Sequence, residues 1–120
     1  MPEFFSLIDE REEKGERLWT YSVNFDFTFN ELEINHFTIT DHTWKKKGRD
    51  KITRELILDI FKEKLNGSDI EPEPKKNPNW KRDHFVPKRI PYQGKKYKLV
   101  FWFKDDTNDH LWVKNCHQQD

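Results

Sequence analysis

The sequence predicts a single α+β domain: a small antiparallel sheet of meander type packed against one long and one short helix on its N-terminal side. Three observations predict it. Tyr21, Val23, Phe25, Phe27 and Phe29 alternate with Ser22, Asn24, Asp26 and Thr28, the period of a half-buried strand. Leu56, Ile57, Ile60, Phe61 and Leu65 recur with helical spacing and define one apolar face. Leu99 to Phe103 is an unbroken apolar run, as in a strand covered on both faces, and a short polar turn leads from it to a final strand-like segment.

Composition bounds the rest. A chain of 120 residues suits one domain and is too short for two ordinary ones. The charged fraction of 37% exceeds the hydrophobic 33%, a balance that alone suggests disorder. Ten Phe, five Trp and three Tyr overrule it, because each aromatic ring buries far more area than a small aliphatic side chain. Net charge is zero but unevenly spread: residues 1–40 carry 3 basic and 9 acidic side chains, the remainder 19 and 13. Such a dipolar chain can turn a basic surface toward a polyanion, and an ordinary surface with a chance imbalance reads the same way. One cysteine, Cys116, excludes an internal disulfide, and no Cys/His cluster has zinc spacing, so neither metal nor cofactor is expected. The acidic start lacks a signal-peptide apolar run and no stretch is long enough to span a membrane, which points to the cytoplasm.

In chain order, residues 1–17 read as an acidic tail or short helix, and residues 18–120 as the domain. A first strand runs through Tyr21–Phe29, Asn30-Glu31 turns the chain, and Ile34, Phe37 and Ile39 mark a second strand. Asp41 caps a short helix from His42 that Gly48 ends or bends. Thr53 caps the long helix, which stops at Asn66-Gly67. Residues 68–83 hold three prolines and no periodicity, and read as an exposed loop. Extended segments follow at His84–Val86 and Arg89–Tyr92, then a turn at Gln93-Gly94, a long strand Lys95–Lys104, the DDTND turn, and a last strand from His110.

Chemistry-bearing residues cluster in three places. Lys45, Lys46, Lys47, Arg49, Lys51 and Arg54 fall within ten residues, and on a helix His42 and Lys46 share a face. Cations that hold a phosphate beside an imidazole that titrates near neutrality suit a phosphodiester substrate; a solvated basic face fits the same residues. In the last strand, regular alternation puts Asn115 and His117 on the face of Leu111 and Val113, with Trp112, Lys114 and Cys116 opposite. Asn115 and His117 then stand at the rim of a concave surface, or simply leave the sheet at a frayed end. Trp80, among Lys75, Lys76, Lys81 and Arg82, pairs a stackable ring with phosphate-binding cations, or docks a mobile loop on the core. Cys116 reads as core, since His117 points to the opposite face from it and cannot serve as its base.

The stretch DHTWKKKGRDKITRELILDIF resembles the BrnT-like branch of the barnase–EndoU–colicin–RelE group of ribonuclease toxins. That branch often carries His-Ala-x-x-Arg-x-x-x-Arg-Gly-Ile-Ser before a helix. His42 matches the His, Lys46 replaces the first Arg, and Ile52-Thr53 match Ile-Ser. Asp50 stands at the second Arg position, with Arg49 one residue earlier, and Lys51 stands where Gly is usual. The ending KKYKLVFWFKDDTNDHLWVKNCH resembles the group's final hairpin, and the likeness covers roughly residues 34–117. The resemblance implies a RelE/BrnT-like fold and the toxin of a toxin–antitoxin pair, cutting RNA without a metal through attack of the 2′-OH. His42, Lys46 and His117 would be catalytic, with His42 and His117 exchanging protons. Lys45, Arg49, Arg54, Trp80, Lys114 and Asn115 would bind substrate, and a cognate antitoxin would cover the basic face. A binding module that holds nucleic acid or protein without chemistry uses the same residues.

Overall fold

The computed structural model describes residues 3–45, 51–79 and 81–119. Among these, the strands are β1 (Phe5–Glu13), β2 (Glu16–Val23), β3 (Thr28–Phe29), β4 (Leu32–Glu33), β5 (His36–Thr40), β6 (Ile90–Tyr92), β7 (Lys95–Phe103) and β8 (His110–Gln119). Six of them form one sheet in the order β1-β2-β5-β8-β7-β6, and β3 pairs with β4 as a separate short hairpin. All neighbours in the large sheet are antiparallel except β5 and β8, which run parallel. Asp41–Lys45 is a single 3-10 turn, while α1 (Arg54–Ile60) is one short helix that widens into a π turn over Phe61–Leu65.

This mostly β architecture corrects the expected antiparallel meander with one long and one short helix. The acidic start is not a tail or a helix but the edge strand β1, joined to β2 by Lys14-Gly15, both at positive φ (51° and 77°). An edge strand hydrated over much of its length needs no apolar alternation, so its sequence pattern is silent. The long helix fails for a different reason. Thr53 caps it as expected, accepting from the Leu56 amide at 3.0 Å. Beyond Ile60, however, the wider π turn carries Phe61 and Leu65 into the core. The parallel β5–β8 pair needs a crossover, here the whole of residues 41–109, which no local pattern announces. The turns at Asn30-Glu31 (φ 52° and 65°) and Gln93-Gly94 (φ 49° and 78°), and the antiparallel β7–β8 pair, form where the sequence places them.

The core lies on one face of the sheet, beneath α1, the π turn and the β3–β4 hairpin. Phenylalanines meet there edge to face in an unbroken chain: Phe27–Phe37 at 5.3 Å, Phe37–Phe61 at 4.8 Å, Phe61–Phe101 at 5.0 Å and Phe101–Phe29 at 5.3 Å. These arrangements put ring edges on ring faces, adding to the burial itself. No helix among the described residues is long and apolar enough to cross a membrane.

A bulge in β8 sets what the other face presents. Phe101 pairs with Val113 but Val100 with Asn115, which leaves Lys114 as an extra residue. Regular alternation is broken there, and Cys116 joins Val113 in the core, fully buried, instead of facing the other way as expected. The 3-10 turn satisfies the displaced backbone. Thr43 Oγ1 accepts from the Cys116 amide at 3.0 Å and donates to Asn115 Oδ1 at 3.3 Å, while Thr40 donates to the Lys114 carbonyl at 3.3 Å. Thr43→Val keeps the shape but removes the acceptor for a buried amide, and is expected to destabilise by about 1–3 kcal/mol in equilibrium urea unfolding.

Candidate functional site

The face of the sheet opposite the core carries the polar side chains that the strand registers align. His36 of β5 lies beside His110 of β8, and the backbone amide of Lys104 donates to the His110 carbonyl at 2.8 Å. One step along the strands, Thr20, Thr38, Trp112 and Trp102 form the next row across β2, β5, β8 and β7. Two imidazoles and a lysine are thus set side by side, with an indole next to them.

His110 is held in place. Thr38 Oγ1 lies 2.8 Å from Thr20 Oγ1 and 2.7 Å from His110 Nε2, and the His36 and His110 ring centroids are 5.5 Å apart. Burial, then the charges of Lys104 and His36, push His110 down to about 4, with Asp109 acting weakly the other way. His110 is therefore neutral at pH 7, able to accept a proton. A cavity of about 470 Å³ opens over this pair, walled by Asp9, Arg11 and Glu13 of β1 on one side and by Lys104 and Trp112 on the other.

That cavity continues across the face. Lys104 and Trp112 also line a second cavity of about 340 Å³ with Lys114 and Trp102. Its other wall, Arg82, lies 4.7 Å over the Trp102 ring, pairs with Asp105 at 2.9 Å, and lines a third cavity of about 360 Å³. His84 packs on the same indole at 4.9 Å, and burial, then Arg82, lowers its pKa. The third cavity is lined by Lys75, Lys76, Arg82, Lys88 and Lys98 with Glu73; Lys75 pairs with Asp83 at 3.5 Å and Lys88 with Glu73 at 3.8 Å. The groove therefore runs from a mixed-charge end at β1, past Trp112, to a cationic end under the loop.

The residues expected from the sequence divide. Lys114 lies in the groove, paired with Glu16 at 3.5 Å. Asn115 is bonded to Thr43, so the 3-10 turn that holds His42 does meet the β8 segment that leads to His117. His117 is opposite Lys98 in the β7–β8 register. Lys45 donates to the Gly15 carbonyl at 3.1 Å and pairs with Asp41 at 3.6 Å. Arg54 is on the core side of the sheet, bonded to the Tyr21 hydroxyl at 2.8 Å and 4.6 Å over the Trp19 ring. Lys46, Arg49 and Trp80 lie outside the described residues. Sequence reasoning missed His36, His110, Thr38 and Lys104. Their only local signal was a His or Thr at every second position of a strand, which becomes a site only once β5 and β8 are paired. No group of three or more His, Cys, Asp or Glu among the described residues is arranged to hold a metal ion.

No protein-family model, curated protein or solved structure matches the chain.

Because folding lowers the His110 pKa from 6.5 to about 4, the unfolded chain binds the extra proton between those values. The stability is present above pH 6.5 and is lost as the pH falls toward 4. His84 contributes in the same direction. Thermal midpoints are expected to fall between pH 6.5 and 4.5, with a smaller fall in His110→Asn; equal slopes would remove His110 as a source.

Proposed function

We propose that this domain binds single-stranded RNA along the groove on the open face of its sheet. The observation that supports this reading is the groove's sequence of surfaces: Trp112 between Lys104 and Lys114, leading to a cavity with five cations. An indole offers a stacking platform to an unpaired base, and a line of Lys and Arg follows a phosphate backbone. A duplex keeps its base faces internal and has no use for the ring. RNA is the polymer that the likeness to ribonuclease toxins implies.

Fluorescence anisotropy with a labelled 12-nucleotide RNA tests it. Trp112→Ala is expected to weaken binding by at least about fivefold, the lower end of one lost base stack. Lys98→Ala should lower both the affinity and the salt dependence, since each phosphate contact adds about 0.7 to the slope of log affinity against log salt. Lys64→Ala, exposed on the π turn, should change neither. Binding that ignores Trp112 and Lys98 alike would place the RNA elsewhere.

A second reading, RNA cleavage by the toxin of a toxin–antitoxin pair, is favoured by the Thr43 bonds that join the His42 turn to the β8 segment leading to His117. In it, His42 and His117 exchange protons and Lys46 holds the phosphate. Induced expression in bacteria should then arrest growth, and His42→Ala and His117→Ala should each restore it. Unimpaired growth on inducing the wild-type chain counts against this reading.

A further inference from the structure

We infer that the cationic cavity at the loop end of the groove is a phosphomonoester site, which holds the phosphorylated terminus of a bound RNA strand. This inference rests on RNA binding in the groove and adds a choice between strand ends. The cavity, about 360 Å³, has room for a terminal nucleotide. It is built on paired backbone. Phe85 and Phe101 exchange amide-to-carbonyl bonds at 2.8 and 3.0 Å, and the Leu99 amide donates to the Pro87 carbonyl at 3.1 Å. These bonds fix His84, Val86 and Lys88 beside Lys98 of β7. The Glu73 amide donates to the His84 carbonyl at 2.8 Å, which sets residues 73–76 as the wall on the side away from β8.

Charge separates a terminal phosphate from an internal one. A phosphodiester within the strand carries one negative charge, whereas a phosphomonoester carries close to two at pH 7 and presents three terminal oxygens. In the two cavities around Trp112, Lys114 is paired with Glu16, Arg11 with Asp9 and Glu13, and Arg82 with Asp105. Lys104 is left as their one lysine or arginine without an ion pair to a described residue, which suits a phosphodiester. The end cavity differs. Lys75, Lys88 and Arg82 are paired with Asp83, Glu73 and Asp105, while Lys76 and Lys98 form no ion pair with a described residue. Five cations against those three carboxylates leave an excess of two positive charges, the number that a monoester dianion brings. Arg82 is also held in place, 4.7 Å over the Trp102 ring, with Nε and Nη2 donating to Asp105. Its Nη1 has no partner among the described residues and remains to donate to a phosphate oxygen.

The test compares strand ends with the full chain. Three internally labelled 12-nucleotide RNAs share one sequence: one carries a 5′-phosphate, one a 3′-phosphate, and one hydroxyls at both ends. By fluorescence anisotropy, one of the phosphorylated strands is expected to bind about tenfold or more tightly than the hydroxyl strand, as one charge-assisted hydrogen bond gained would give. Lys76→Ala and Lys98→Ala should each reduce that ratio, and the double variant should abolish it. Neither lysine holds an ion pair in the described structure, so the substitutions carry little risk to the fold. Trp112→Ala should weaken all three strands together and keep the ratio. Adenosine 5′-monophosphate, added as competitor, should bind far more weakly than the phosphorylated strand; equal affinity overturns the strand-end assignment in favour of a free nucleotide. Equal binding of the three RNAs, or a ratio that the double variant retains, overturns the proposal and leaves the binding reading standing. Absence of binding by all three removes both.

Discussion

The structure hinges on the parallel pairing of β5 with β8. Strands β1 and β2 reach the rest of the sheet only through β5, and β7 and β6 only through β8. The four register pairs from His36–His110 to Ile39–Val113 thus join two halves of the chain that are separated by the whole crossover. Phe37 and Ile39 face the core with Leu111 and Val113, so apolar packing fixes the pairing. The same register places His36, Thr38, His110 and Trp112 on the opposite face. What the core requires of β5 and β8 on one side therefore determines which polar groups meet on the other.

The charge imbalance between the ends of the chain acquires a spatial meaning in this sheet. β1, rich in carboxylates, is the edge beyond β2, while the cations of residues 75–98 gather at the β7–β6 side and under the loop. Zero net charge thus coexists with a groove that runs from a mixed-charge end to a cationic one. The cations within it are not equivalent. Lys114 and Arg82 are tied to Glu16 and Asp105, whereas Lys104 stands at the mouth of two cavities.

Local chemistry was legible in the sequence wherever a residue acts through its immediate neighbours. Thr53 caps α1, Asn30-Glu31 and Gln93-Gly94 turn the chain, and the apolar stretch from Leu99 runs through β7. The failures are non-local. β1 is hydrated along most of its length and lacks a period to read, and the crossover between β5 and β8 has no local marker. The His42 turn meets the end of β8 through Thr43, a residue whose type gave no hint of that role. The His36–His110 pair could not be found, because its members are far apart in sequence and each, taken alone, is an ordinary strand histidine.

The bulge at Lys114 makes the display on the open face a matter of counting. Downstream of it, inside and outside exchange places: Cys116 enters the core, and Asn115 and His117 stand opposite Val100 and Lys98. Were the same ten residues of β8 to pair without the bulge, the composition would be unchanged and yet the frame of everything after Lys114 would shift, turning a thiol outward and an amide inward. In this strand the pairing frame, more than residue identity, decides which functional groups the protein shows to its surroundings.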